Sequence, residues 1–207
     1  DATSPIISAW KDNITKGYSA KENARGYEVV PTVEPFIKLS LGIETNEVSQ
    51  CKYTTNSSIK FENMDEYFGD NFFEKRHSLL VRTKPGDVNK VYVKCKDGAG
   101  NSNDADYLIQ FNVKQGPDFT PPLIEGSNLE DGYSTKYNVS FFPVTFFLNE
   151  PSQCKWEISD VDYDVMNNSL SCSTTQDSNN FYDCGATFKL NPGGNKYYLK
   201  CKDEAGN

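Results

Sequence analysis

Histidine is almost missing from this sequence, which has one, and methionine is scarce, with two. The single histidine, His77, stands in the strand-like run His77-Ser78-Leu79-Leu80-Val81 and has no second titratable group placed beside it by any motif. No acid–base pair can be assembled on that basis. Gly-x-Ser-x-Gly, phosphate-loop and zinc signatures are also missing, so no enzyme activity is expected of these residues. Basic excess is lacking too. A net charge of -8 and a pI near 4.8 argue against nucleic acid as a partner, since its binders need a basic face. Long apolar runs are missing as well. The best stretch, Val139 to Leu148, is broken by Ser140, Pro143 and Thr145 and is far too short to span a bilayer. No signal-peptide pattern opens the sequence, so Asp1 is read as the start of a mature chain or of a fragment.

What is present is a duplication. Lys90-Val91-Tyr92-Val93-Lys94-Cys95-Lys96-Asp97-Gly98-Ala99-Gly100-Asn101 returns as Lys196-Tyr197-Tyr198-Leu199-Lys200-Cys201-Lys202-Asp203-Glu204-Ala205-Gly206-Asn207, with nine of twelve positions identical. A second block, Asn46-Glu47-Val48-Ser49-Gln50-Cys51-Lys52-Tyr53, returns as Asn149-Glu150-Pro151-Ser152-Gln153-Cys154-Lys155-Trp156. The sequence is therefore two copies of one domain, residues 1–116 and 117–207. In the first block Val91, Val93 and Cys95 alternate with Tyr92, Lys94 and Lys96, the period of a half-buried strand with its cysteine turned inward. The Asp-x-Ala-Gly-Asn that follows reads as a turn, whose Gly and Asn can take positive φ. With 13 Phe and 12 Tyr as core material, and much Asn, Ser, Thr and Val, the composition leans to strand and turn. Each copy has the size of one β-sandwich.

In order, Ser4-Pro5-Ile6-Ile7-Ser8 and Pro121-Pro122-Leu123-Ile124-Glu125 read as opening edge strands, where proline is tolerated. Residues 11–35 read as an insertion or long loop of the first copy, with one short helix around Ser19 to Ala24. Phe36 to Glu44 is a strand with Ile37, Leu39, Leu41 and Ile43 on one face, and Phe142 to Leu148 is its twin. The Cys-x-aromatic strand follows, placing Tyr53 and Trp156 beside their cysteines. Asn56 to Lys75 is loop, with Met64, Phe68 and Phe72 as cover for an open edge. His77 to Arg82 and Ala186 to Leu190 are the next strands, and Asp106 to Val113 closes the first copy. The linker from Gln115 to Pro122 carries Pro117, Pro121 and Pro122, which stiffen it. The second copy has no equivalent of the closing strand before Asn207. Two expectations follow: the natural chain runs on, or another subunit supplies the strand to an otherwise unpaired edge.

The six cysteines pair as Cys51–Cys95 and Cys154–Cys201 from the repeat, leaving Cys172–Cys184. The metal alternative would need a close pair such as Cys-x-x-Cys together with a second pair or histidines, and the sequence has no such pair and a single histidine. Disulfides imply an oxidising, extracellular or periplasm-like compartment.

The order Pro-Pro-x-Ile, Thr-Asn-Glu, Cys-Lys-Tyr, His-Ser, Tyr-Val-Lys-Cys-Lys-Asp-Gly-Ala-Gly-Asn and Asp-Tyr-x-Ile-x-Phe-x-Val resembles extracellular Ig-like or fibronectin-III-like repeats of archaeal and bacterial surface and secreted proteins. The match covers most of 36–113 and about two-thirds of 121–207, while 11–35 and 157–184 depart from it. The resemblance implies an all-β chain of two tandem Ig-like sandwiches, one disulfide per repeat, serving as stalk, spacer, adhesin or filament subunit. It also implies calcium at domain junctions, for which Asp97, Asn101 and Asp118 are the candidates; no cofactor is otherwise required. Asp160, Asp162 and Asp164 open like an EF-hand, but Val165 and Ser171 stand where that loop needs Gly and Glu. On a strand these three carboxylates would share a solvated face. Asn13, Asn56, Asn138 and Asn167 begin glycosylation sequons.

The expected function is that of a structural or assembly module of an extracellular filament, stalk or cell-surface layer, with self-association or neighbouring repeats as partners. The alternatives are an adhesin or carbohydrate-binding module that takes cell-surface glycans on 11–35 or 157–184, and an accessory domain of a larger secreted enzyme.

Overall fold

The computed structural model describes residues 2–64 and 66–207. The chain is all-β, with helix confined to three single 3-10 turns among the described residues, and it divides into two compact units, Asp1–Gly116 and Pro117–Asn207.

In the first unit the strands are β1 (Ile7–Ala9), β2 (Ser19–Asn23), β3 (Gly26–Val30), β4 (Lys38–Thr54), β5 (Glu66–Tyr67), β6 (Glu74–Arg82), β7 (Val88–Asp97) and β8 (Tyr107–Asn112). The sandwich-like arrangement is organised by β4. Its first half pairs with β1 and β6, and its second half pairs with β5 and β7, with a register shift between Glu44 and Ser49. Beyond β7 the sheet continues through β8, β3 and β2. Leu39, Leu41 and Ile43 from one half of β4 meet Cys51 from the other, Val91, Val93 and Cys95 of β7, and Ile109 and Phe111 of β8 in one buried cluster.

Two expectations are corrected here. Residues 19–24 form no helix, and the segment is not a loop: β2 and β3 are an antiparallel pair, and β3 runs parallel to β8 with Tyr27 opposite Ile109. Tyr27 and Val29 are buried in the core, so the segment is part of the sandwich rather than an appendage. The strand at Phe36 to Glu44 and the Cys-x-aromatic strand are one continuous β4, which starts after Phe36; Phe36 itself has a φ of +56°. Met64 and Phe68 are buried as expected of cover residues, but Phe72 is exposed.

The second unit has β9 (Ile124–Ser127), β10 (Phe141–Leu148), β11 (Ser152–Glu157), β12 (Asn168–Ser169), β13 (Ser171–Cys172), β14 (Tyr182–Lys189) and β15 (Tyr198–Asp203). They form two sheets, in the orders β13-β14-β10-β9 and β12-β11-β15. Between them Leu148, Cys154, Leu170, Tyr182 and Cys184 are buried, with Trp156 and Leu199 packed alongside. Asp160 to Asp164 is loop and a 3-10 turn at Tyr163–Val165, so its carboxylates do not lie along a strand. Asp160 pairs with Lys200 and Asp164 with Lys202.

Candidate functional site

All three disulfides join residues that stand directly opposite one another on neighbouring antiparallel strands: Cys51 with Cys95, Cys154 with Cys201, and Cys172 with Cys184. The Cα–Cα separations are 4.1, 4.1 and 4.0 Å. Directly opposite positions of an antiparallel pair bring Cα atoms to about this distance where no ladder bond intervenes. It is the register of each strand pair that sets the two cysteines against one another.

The Asp-x-Ala-Gly-Asn turn is built the same way in both copies. Gly100 and Gly206 take φ of +96° and +89°, while each Asn uses its side chain rather than positive φ. Asn101 donates its backbone N–H to Asp97 Oδ1 at 2.8 Å and its Nδ2 to Asp97 Oδ2 at 2.8 Å. The Asn101 side chain holds the Asp97 carboxyl below its usual range. Asn207 repeats both bonds to Asp203, at 2.8 and 3.0 Å. Its Nδ2 also donates to the Asp118 carbonyl at 2.9 Å.

Asp118 thus belongs to a carboxylate group within the second unit, with Glu150 and Asp203, in which one oxygen of each lies within 4.8 Å of the others. Glu150 is 1 % exposed. Burial, then the charge of Asp118, raises its pKa from 4.5 to about 8. These three are the carboxylates that could share a hard cation in this unit. Sequence reasoning missed Glu150, although Asn46-Glu47 and Asn149-Glu150 are a repeated pair and that repetition was the available signal.

A cleft of about 1020 Å³ opens in the second unit. Its walls include Phe142 and Val144 of β10, Phe188 of β14, Tyr197 just before β15 and Leu199 within it. Phe188 and Tyr197 pack with ring centroids 4.6 Å apart, and Trp156 lies 5.0 Å from Phe188. The segment from Leu129 to Ser140 forms the rim, where Tyr133 rests on Phe142 at 5.1 Å and Tyr137 is 95 % exposed. Neither 11–35 nor 157–184 lines this cleft.

No known family model and no curated protein matches this chain.

Of the sequon asparagines, Asn56, Asn138 and Asn167 are exposed, whereas Asn13 is half-buried and its Nδ2 donates to Ser40 Oγ at 2.9 Å. His77 is buried, with Nε2 3.1 Å from the Glu74 carbonyl, and burial keeps its pKa below the ordinary value. Among the described residues no helix is long and apolar enough to cross a membrane.

Proposed function

We propose that this chain is a structural and assembly module of an extracellular filament, stalk or cell-surface layer. The observation that carries the reading is the covalent clasp at the same strand pair of both repeats, Cys51–Cys95 and Cys154–Cys201. All six cysteines are used in such clasps, and none is free. A clasp between paired strands fixes register and favours persistence in oxidising surroundings, which is what a load-bearing surface element requires. Self-association or contact with neighbouring repeats is the partner chemistry of such a module. Electron microscopy of native material, with mass spectrometry to locate this chain, tests it. Ordered polymers or a surface layer containing the chain are expected; a dispersed secreted monomer would sink the reading.

The rings at the cleft rim favour a second reading, a carbohydrate-binding module. Tyr133 and Tyr137 are exposed at 54 % and 95 %, a surface on which a sugar face can stack. Glycan-array binding that is lost in Tyr133→Ala and Tyr137→Ala would establish it.

A further inference from the structure

Each sheet of the second unit carries one disulfide, and the two disulfides meet between the sheets. Cys154–Cys201 ties β11 to β15 in one sheet, and Cys172–Cys184 ties β13 to β14 in the other. Cys154 and Cys184 are 2 % and 1 % exposed and share one buried cluster, with Cys172 and Cys201 packed against it. The Sγ atom of Cys154 lies within 4.8 Å of the Sγ atoms of both Cys172 and Cys184.

The path of the chain sets this approach. β12 pairs with β11 and β13 pairs with β14, so Leu170 between them is the step from one sheet to the other. Leu170 is buried, and its N–H donates to the Cys154 carbonyl at 2.9 Å, which keeps β13 beside Cys154. The first unit has no such pair of bonds, because Cys51 and Cys95 are its only cysteines.

We propose that the two disulfides of the second unit form a thiol-triggered relay, in which attack at Cys172 opens Cys154–Cys201 and unclasps β15 from β11. Disulfides exchange when a thiolate bonds to one sulfur and expels the other, at a rate that depends on access. Cys172 is the partly exposed residue of its pair and Cys184 the buried one. A small thiolate from solvent bonds to Cys172 Sγ, breaks the Cys172–Cys184 bond and leaves the electron pair on Cys184 Sγ. That thiolate is held in an apolar core, where charge is poorly solvated, with the Cys154–Cys201 bond in reach. Its attack on Cys154 Sγ forms Cys154–Cys184, breaks Cys154–Cys201 and expels Cys201 as a thiolate, which takes a proton from water. One thiol enters as a mixed disulfide on Cys172, and one thiol, Cys201, is released. The new bond closes a shorter loop than the one it replaces. Only the fold of the second unit is required, so the relay stands or falls apart from the assembly reading.

The test is treatment of the full chain with glutathione under native conditions, followed by acid quench, alkylation and peptide mapping by mass spectrometry without reduction. Glutathione on Cys172, a Cys154–Cys184 linkage and an alkylated Cys201 are expected. In Cys172→Ser the Cys184 thiol is free from the outset, so the Cys154–Cys184 linkage should form with no glutathione added. Replacing both Cys172 and Cys184 by Ser removes the relay. Release of Cys201 should then slow on the order of tenfold, while Cys51–Cys95 opens at the wild-type rate. Mapping of the wild type needs no variant, so it decides the matter even if a substitution prevents folding. Glutathione on Cys172 with Cys154–Cys201 intact would overturn the proposal, as would glutathione on Cys154 or Cys201 without the Cys154–Cys184 linkage. So would a linkage that forms only in denaturant, which assigns it to the unfolded chain, or a native second unit in which glutathione opens neither bond.

Discussion

Cys51 stands directly opposite Cys95 on the neighbouring strand, and the bond between them closes a sequence separation of 44 residues. Cys172 and Cys184 have the same relationship across a separation of only 12. In the chain-entropy account the first should contribute ~4 kcal/mol and the second ~3 kcal/mol. Paired alanine substitution at Cys51 and Cys95 should therefore lower the thermal midpoint of its unit more than substitution at Cys172 and Cys184 lowers that of the other. Calorimetry on the two double variants checks the order, and a reversed order would contradict the account.

Val93 and Leu199 are repeat twins with different surroundings, the first 0 % exposed and the second half-buried at the cleft. Val93→Ala should cost ~2 kcal/mol, by lost burial and a cavity that β4 and β8 cannot collapse. Leu199→Ala should cost less than ~1 kcal/mol in the chain alone, because solvent already reaches one side of it. Hydrogen exchange at β7 and β15 reads the two effects separately.

Glu150 makes the second unit sensitive to pH in a defined direction. Its pKa is 4.5 in the unfolded chain and about 8 when folded, so between those values the folded state binds the extra proton. Stability is then greatest at the acidic end and falls as pH rises through about 8. Denaturation of the wild type and Glu150→Gln at a series of pH values should show the slope in the first and its loss in the second. A wild-type slope of opposite sign would refute the assignment.

Gly26 opens β3 with a φ of +151°, and a Cβ there would overlap the Leu108 carbonyl oxygen of β8. Backbone is the obstacle, so it cannot rotate away. Gly26→Ala should destabilise the first unit by about 2 kcal/mol or more and free the amides of β2 and β3 to exchange while β4 stays protected. Unchanged protection of β3 would show that the strand tolerates the displacement.

The legibility of the fold followed the repeat. β7 and β15 could be read because Val91, Val93 and Cys95 alternate with polar residues and recur with their cysteine in place. β2 could not, because Ala20-Lys21-Glu22-Asn23 favours helix locally; its strand state is imposed by β3, which in turn is fixed by parallel pairing to β8 far along the chain. The polar run Thr45-Asn46-Glu47 looked like a break between strands, yet it is where β4 changes neighbours without ending. The cleft escaped the sequence for a related reason. Its walls come from β10, β14 and β15, which meet only once folded, and its rim at Leu129 to Ser140 carries no period of either kind.

The cross-strand disulfides also set how much of the molecule can be drawn out when its two ends are pulled apart. Tension passes from Cys51 straight to Cys95 and from Cys154 straight to Cys201, so the residues inside each loop never enter the loaded path. Separations of 44 and 47 residues, at ~3.4 Å each, withhold ~150 and ~160 Å of contour length. The Cys172–Cys184 bond lies wholly inside the second loop and bears none of the force. Even with every strand unpaired, a stretched chain would stay short until a thiol opened one of the two outer bonds.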